Sequence, residues 1–167
     1  MIWIKGEKMK KIYFASPLFS NMELRYNAWV VEMIRKEFTE LDVYLPQEQG
    51  DINDKSQYAS SLMIAKADTD ALLESDLLVA VLDGLVIDPG VASEIGVAYQ
   101  AGIPILGLYT DSRQQGAEVP EKITALSDIA ESQFSYVNLY TTGLIKLNGA
   151  ILSNESELID AMKEYFQ

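Results

Sequence analysis

The sequence predicts a single α/β domain, a doubly wound (Rossmann/flavodoxin-like) five-stranded parallel sheet with helices on both faces. Segments of strand and helix character alternate about five times along the 167 residues. The run LLVAVL at 77–82 is unbroken and apolar, as expected of a strand that is buried on both faces. A chain of this length can form one core without disulfides or metals. We therefore expect the strand order 2-1-3-4-5, with a crevice between the first and third strands.

The individual elements follow from local patterns. Strands are short runs of β-branched, aromatic or leucine residues, and helices place apolar residues at three- and four-residue spacing. The predicted strands are 10–15, 41–45, 77–82, 103–109 and 134–140, and the predicted helices are 22–38, 58–73, 91–101, 120–128 and 155–166. Ser20 or Asn21 caps the first helix, Gly102 ends the third, and Asn154 caps the last. The polar, turn-rich segment 47–55 is predicted to be a loop.

The composition excludes several kinds of function. The chain has no cysteine and no histidine, which rules out a Ser-His-Asp triad, a cysteine nucleophile and the common zinc sites. Any catalysis must therefore use carboxylates, tyrosine, lysine or backbone groups. A formal net charge of −12 argues against binding to a nucleic acid polymer or to an anionic membrane.

The N-terminus indicates where the domain begins. Met9 is a natural start, so residues 1–8 are predicted to be an extension and residues 9–167 to form the domain. The first residues lack the pattern of a signal peptide, and no apolar run approaches the ~20 residues of a membrane span. We therefore expect a cytoplasmic protein.

Three carboxylates follow the central strand. Asp83 ends that strand, Asp88 lies on the next loop, and Glu94 falls in the first turn of a helix predicted to start at Val91. The helix N-terminus favours an ionised Glu94, and ligands of open α/β sheets bind at this edge. Crowded carboxylates cannot all ionise, so one of them is expected to stay protonated. A functional pair and a helix cap beside a solvated loop are equally good interpretations of Asp88 and Glu94.

Four motifs, by their order and spacing, resemble the nucleoside 2-deoxyribosyltransferase family. They are IYFASPLF at 12–19, Asp68 eight residues before Asp76, DPGVASEIG at 88–96 and VNL at 137–139. The resemblance covers nearly the whole chain from Met9 onward, and it implies the fold predicted above. It also implies a homo-oligomer, a dimer or a hexamer, whose active sites are shared between subunits.

The resemblance assigns catalytic roles to four residues. Glu94 corresponds to the nucleophile of the family, and Tyr13 to the tyrosine that holds the nucleophile by a hydrogen bond. Asp88 and Asp68 are implied to engage the base, and one of them to deliver or relay a proton to it. From the residues alone, Asp68 is better interpreted as part of a solvated helical face.

The implied substrate-binding residues are Phe14, Pro17, Gln47, Gln49, Gly90 and Asn138. Asn138 is implied to enter the site of a neighbouring subunit and to bind the 5′-hydroxyl of the sugar. The family uses an amide after the second strand, for which Gln47 and Gln49 are both candidates. Phe14 and Pro17 are expected to be apolar walls of the base pocket. Ser93, directly before the nucleophile, departs from the family's pattern, as does the longer tail after Asn138.

The implied reaction transfers a 2-deoxyribosyl group between purine or pyrimidine bases through a covalent ester on Glu94, with retention of configuration. Its partners are a small-molecule deoxynucleoside and a free nucleobase, and it needs no metal, histidine or cofactor. A 2′-hydroxyl on the sugar would compete for the hydrogen bonds of Glu94, so a preference for deoxyribose is expected.

Three alternatives remain open. A 2′-deoxynucleoside 5′-monophosphate N-glycosidase would use the same carboxylates with water as the acceptor. A phosphoribohydrolase of the lysine-decarboxylase-like type has a PGGxGTxxE motif, which DPGVASE at 88–94 matches poorly. A non-catalytic nucleotide-sensing module would not need Tyr13, Asp88 and Glu94 together.

Overall fold

The computed structural model describes residues 10–166, so the extension predicted at 1–8 lies outside the described residues. The strands are β1 (Lys11–Ala15), β2 (Asp42–Tyr44), β3 (Leu77–Val81), β4 (Ile105–Leu108) and β5 (Gly149–Leu152). The helices are α1 (Asn21–Glu37), α2 (Gly50–Asn53), α3 (Ser61–Leu73), α4 (Pro89–Ala101), α5 (Pro120–Thr124), α6 (Leu139–Leu147) and α7 (Glu155–Phe166). All neighbouring strands are parallel, and their order is β2-β1-β3-β4-β5. The predicted doubly wound α/β fold is therefore confirmed.

Strand side chains alternate between two apolar cores, one on each face of the sheet. Ile12 and Phe14 of β1 pack with residues of α1 and α7, whereas Tyr13 and Ala15 pack with residues of α3, α4 and α6. This follows from the two-residue period of side chains along a strand. The central strand β3 is buried along its whole length, as its unbroken apolar sequence predicts. The alternation directs Tyr13 toward α4, the helix that carries Glu94.

Polar side chains and one glycine set the helix ends close to their predicted positions. Ser20 accepts a hydrogen bond from the amide of Glu23, whose carboxylate accepts one from the amide of Ser20, so a capping box starts α1. Gly102 ends α4 with a left-handed φ of 72°. Asn154 accepts a hydrogen bond from the amide of Glu157 at the start of α7. Of the two candidates for the cap of α1, Ser20 is therefore the one used.

The fifth strand lies elsewhere than predicted, because 134–140 is not a strand. The alternation in FSYVNLY does not reflect a buried sheet face, since Tyr136 is 73% exposed and Tyr140 is 77% exposed. Asn138 instead accepts a hydrogen bond from the amide of Thr141 and starts α6. The strand that completes the sheet is β5, which begins nine residues after the end of the predicted strand.

Two further differences between the predicted and the observed elements are local. The predicted loop 47–55 overlaps a single-turn 3-10 helix at Pro46–Glu48 and contains the short helix α2. Helix α3 begins at Ser61 rather than at 58, because the hydroxyl of Ser60 accepts a hydrogen bond from the amide of Met63 and caps the helix there. Most other ends agree with prediction to within one or two residues, which is the usual scatter of such boundaries.

Within residues 10–166, no helix combines the length and the apolar character that crossing a membrane requires. The longest of the described helices, α1, has 17 residues and carries charged side chains at both ends.

Candidate active site

A hydrogen bond between β1 and α4 forms the centre of the candidate site. The hydroxyl of Tyr13 donates it to Oε1 of Glu94 over 2.6 Å. Tyr13 is completely buried, and Glu94 is partly buried in the second turn of α4. The two meet because β1 pairs with β3, and α4 follows β3 in the chain. Tyr13 therefore fixes one carboxylate oxygen of Glu94.

Tyr44 and Asp68 extend this contact away from Glu94. Strands β1 and β2 pair with Tyr13 opposite Tyr44, and the two rings stack with their centroids 5.2 Å apart. The hydroxyl of Tyr44 lies 3.5 Å from Oδ1 of Asp68, at the outer limit of a hydrogen bond. Burial raises the pKa of Asp68. Asp68 thus belongs to the inner side of α3, and the solvated-face interpretation of this residue is wrong.

Asp88 caps α4, which begins at Pro89, two residues before the predicted start. Oδ1 of Asp88 accepts hydrogen bonds from the amides of Gly90 and Val91, at 2.8 and 3.1 Å. A Cβ at position 90 would lie 2.9 Å from this oxygen, so glycine leaves room for the cap. The capping interpretation of Asp88 is therefore correct, and the cap does not use its second oxygen.

The early start of α4 overturns the expectation that the helix N-terminus keeps Glu94 ionised. The field of a helix end fades beyond the first turn, and Glu94 is in the second. Burial instead raises the pKa of Glu94 to about 7, with the Tyr13 hydrogen bond opposing the shift and the charges of Asp68 and Asp88 adding to it. A carboxyl group that is half ionised near neutral pH, beside two more carboxylates, is typical of a catalytic site.

Comparison with known protein families shows which family the chain belongs to. The family model described as nucleoside 2-deoxyribosyltransferase matches residues 12–162. The chain belongs to this family. The matched range covers all five strands except Lys11 of β1, and it includes Tyr13, Asp68, Asp88 and Glu94. No curated protein matches the chain.

The chain is also similar to several solved structures. A conserved protein from Enterococcus faecalis V583 is 62% identical, with a TM-score of 0.90 and coverage of 95% of this chain and 99% of that one. The 2-deoxyribosyltransferase from Bacillus psychrosaccharolyticus is 19% identical, with a TM-score of 0.60 and coverage of 89% and 90%. The 2-desoxiribosyltransferase from Leishmania mexicana is 17% identical, with a TM-score of 0.61 and coverage of 93% and 96%. At these low identities, the two transferases show a shared fold.

Phe14 and Pro17 were expected to be apolar walls of the base pocket, and the prediction for Phe14 is wrong. Its side chain is fully buried in the core on the α1 side, because it points to the opposite face of the sheet from Tyr13. Pro17 lines a cavity of about 360 Å³ at the C-terminal edge of the sheet, together with Asp83. Both oxygens of Asp83 accept hydrogen bonds from Thr110, so this third carboxylate binds the segment directly after β4. Neither Tyr13 nor Glu94 lines this cavity.

The two candidate glutamines differ in how their amides are used. Nε2 of Gln47 donates to the carbonyl of Leu24, and its Oε1 accepts from Nδ2 of Asn27, at 2.9 and 3.0 Å. Gln47 therefore ties the segment after β2 to α1. Nε2 of Gln49 has only a 3.5 Å contact with the carbonyl of Leu45. The amide of Gln49 is therefore held less tightly than the amide of Gln47.

Asn138 makes no hydrogen bond with the carboxylates of the candidate site among the described residues. It is exposed, its side chain caps α6, and it lines a cavity of about 180 Å³ between Ile87, Ala92 and Tyr136. Among the described contacts, none joins Asn138 to Tyr13 or Glu94. Its role toward a neighbouring subunit stays a prediction.

Three residues near the site are missing from the sequence prediction. Tyr44 could have been found from the strand pairing, because two tyrosines at the ends of adjacent parallel strands share a face. Phe19 is 71% exposed on the loop after β1, and Nζ of Lys55 lies 5.7 Å from the centroid of its ring. No periodic pattern marks these two residues. In the part of the chain that the structure describes, no three acidic side chains are arranged to hold a metal ion.

Proposed function

We propose that the protein transfers a 2-deoxyribosyl group between purine or pyrimidine bases by a retaining double displacement. One observation carries the proposal: in a chain of this family, Tyr13 holds Glu94 by a 2.6 Å hydrogen bond, and the charges of Asp68 and Asp88 act on the same carboxyl group. Two proteins of the same fold bear the name of this activity, which supports the reaction class by analogy.

In the first step, the Glu94 carboxylate attacks C1′ of a deoxynucleoside. The C1′–N bond breaks, its electron pair passes to the base nitrogen, and an ester forms between C1′ and Glu94. Because Tyr13 holds Oε1, Oε2 is the attacking oxygen. The leaving base requires a proton, and Asp68 is the better donor, since burial raises its pKa. Asp88 has one oxygen occupied by two backbone amides and orients the base instead.

In the second step, a different base attacks C1′ from the face that the first base has left. Its nitrogen forms the new C1′–N bond, the ester C–O bond breaks, and the electron pair returns to Glu94. The incoming base gives its proton to Asp68, which restores the starting state. Two inversions at C1′ together retain the β configuration.

The active species in this proposal is a homo-oligomer with shared sites. Helix α6, which Asn138 caps, carries large apolar side chains on its surface: Leu139, Tyr140 and Leu147 are 79%, 77% and 71% exposed. Exposed apolar surface of this kind is typical of a protein interface. A second subunit on this surface would bring an Asn138 side chain to the sugar end of its neighbour's site.

The test is a base-exchange assay. Deoxyinosine is incubated with the protein in the presence and absence of free adenine, and nucleosides, bases and free deoxyribose are separated and quantified. We expect deoxyadenosine to accumulate in step with released hypoxanthine, and deoxyribose to appear much more slowly. The Glu94→Gln variant, of similar shape but without the carboxylate, controls for contaminating activities.

The same assay identifies the hydrolytic alternative. A 2′-deoxynucleoside 5′-monophosphate N-glycosidase would prefer monophosphates to nucleosides, and added adenine would not divert the sugar from water. That result would replace the proposed transfer by hydrolysis. If Glu94→Gln retained full turnover of either substrate, the carboxylate mechanism itself would be wrong.

A further inference from the structure

We propose that Lys55 recognises an exocyclic carbonyl oxygen on the nucleobase and thereby sets a preference for oxo-substituted bases over amino-substituted ones. This inference rests on the proposed function, because it assigns the base specificity of the same site.

Two contacts and one electrostatic effect locate Lys55 near the site. Its Nζ lies 5.7 Å from the centroid of the exposed Phe19 ring and 3.1 Å from Oδ1 of Asn53. Its positive charge also lowers the pKa of Asp68, opposing the effect of burial. Lys55 therefore lies beside an exposed aromatic ring, and its charge acts on the carboxyl group that is proposed to engage the base.

The Asn53 amide keeps the lysine in this position. Asn53 is 8% exposed, and its oxygen accepts the hydrogen bond from Lys55. Its nitrogen is buried without a hydrogen-bond partner among the described residues. A buried amide normally forms hydrogen bonds at both its oxygen and its nitrogen. The unpaired nitrogen of Asn53 therefore lowers the stability of the folded protein. Asn53 is thus a positioning residue for Lys55.

The chemistry of the ammonium group determines what it can select. A lysine ammonium has three N–H donors and no acceptor. The oxo group of hypoxanthine, uracil or thymine accepts a hydrogen bond, whereas the exocyclic amino group of adenine or cytosine presents two N–H donors to the same place. A base that stacks on the Phe19 ring has its edge within reach of the flexible four-carbon stem of Lys55.

The test is a competition between two acceptor bases that differ at one exocyclic group. Thymidine is the common donor, hypoxanthine and adenine are supplied at equal concentration, and the ratio of deoxyinosine to deoxyadenosine is measured. We expect the wild-type protein to favour hypoxanthine by about tenfold, the effect of one charge-assisted hydrogen bond. Lys55→Met should bring the ratio close to one, mainly through a higher KM for hypoxanthine, and Lys55→Arg should keep part of the preference.

Two controls separate a specific effect from a general one. Lys36→Met removes the same charge from an exposed position in the last turn of α1 and should leave the ratio unchanged. Asn53→Ala should shift the ratio in the direction of Lys55→Met but by less, because the lysine remains while its anchor is lost. A Lys55→Met variant that slows transfer to both bases equally would overturn the assignment.

Calorimetric binding of free hypoxanthine and free adenine makes the test independent of turnover. If no transfer occurs but hypoxanthine binding weakens about tenfold in Lys55→Met, the proposed function fails and the role of Lys55 stands. If transfer occurs and neither the ratio nor hypoxanthine binding depends on Lys55, the proposed function stands and the role of Lys55 fails. Absence of both transfer and base binding would overturn both.

Discussion

Tyr13 is fully buried on β1, and its hydroxyl donates a 2.6 Å hydrogen bond to Oε1 of Glu94 on α4, the helix that follows the neighbouring strand β3. Burial and the nearby Glu94 carboxylate raise the pKa of Tyr13 far above its ordinary value. Tyr13 is therefore a neutral donor at every working pH. A rigid donor on a central strand fixes the Glu94 carboxylate, which leaves the second oxygen for chemistry.

Replacing the nucleophile should abolish base exchange without unfolding the protein. Glu94→Gln keeps the shape of the side chain but cannot form the ester, so we expect kcat for exchange to fall by at least about a thousandfold. Circular dichroism checks that the fold is retained. Glu121→Gln, on the exposed surface of α5, is the matched control and should keep wild-type turnover. A Glu94→Gln variant with more than a few per cent of wild-type activity would remove Glu94 from the mechanism.

The pH profile should report the ionisation of Glu94. The nucleophile must be deprotonated and its pKa is raised to about 7, so kcat/KM should fall about tenfold per pH unit below that value. The Tyr13 hydrogen bond lowers the pKa of Glu94. Tyr13→Phe should therefore move the acidic limb to higher pH. Identical profiles for the two proteins would show that Tyr13 does not act on the nucleophile.

Glu94 should also destabilise the folded protein at neutral pH. Below its ordinary pKa of 4.5 the group is protonated in both states, but between pH 4.5 and about 7 only the unfolded chain releases the proton. The free energy of unfolding should therefore fall across this range, by up to roughly 3 kcal/mol. Glu94→Gln does not ionise and lacks this loss. The free energy of unfolding of the variant, measured with urea, should therefore exceed that of the wild type by more at pH 8 than at pH 5. An advantage that is equal at both pH values would mean that the pKa of Glu94 is not raised by folding.

Deoxynucleosides should react much faster than ribonucleosides. A 2′-hydroxyl next to C1′ would donate to Glu94 and compete with the hydrogen bond from Tyr13, which would misplace the attacking oxygen. We expect kcat/KM for deoxyinosine to exceed that for inosine by about a hundredfold, the range in which a mispaired polar group is rejected. Tyr13→Phe should narrow the difference, since the competition is then absent. Comparable values for the two nucleosides in the wild-type protein would contradict this account.

Sharing of sites between subunits can be tested by complementation. If Asn138 completes the neighbour's site, Asn138→Ala and Glu94→Gln are both defective alone, but a mixed dimer contains one site with both native residues. When the two variants are mixed in equal amounts and reassembled, about a quarter of the sites should contain both the native Glu94 and the native Asn138. Measured exchange activity should recover accordingly. No recovery, with confirmed subunit mixing, would place Asn138 in the site of its own chain or outside it.

The elements that the sequence predicted correctly are those specified by neighbouring residues. The unbroken apolar run of β3, the Ser20 capping box and the glycine stop at Gly102 each depend on a few adjacent positions, and the alternation of strands and helices then implies the strand order. Family motifs pointed to Asp68, Asp88 and Glu94, because their types and spacing are visible in the chain. The fifth strand was predicted wrongly because the alternation in 134–140 resembles that of a strand, although its tyrosines are exposed.

The sequence by itself thus determined the fold class, the helix caps and the carboxylates, since their signals lie in composition and short-range spacing. Only the tertiary structure decided which of these groups meet and in what state. In the folded protein, Phe14 packs in the core, and the amide of Gln47 binds the backbone of α1. Tyr13 contacts Glu94, and Tyr44 contacts Asp68. The tertiary structure also placed Glu94 in the second turn of α4, beyond the field of the helix end, and burial there raised its pKa. The physical reason is that strand pairing and burial arise between residues distant in sequence, and the desolvation that shifts a pKa exists only in the packed protein.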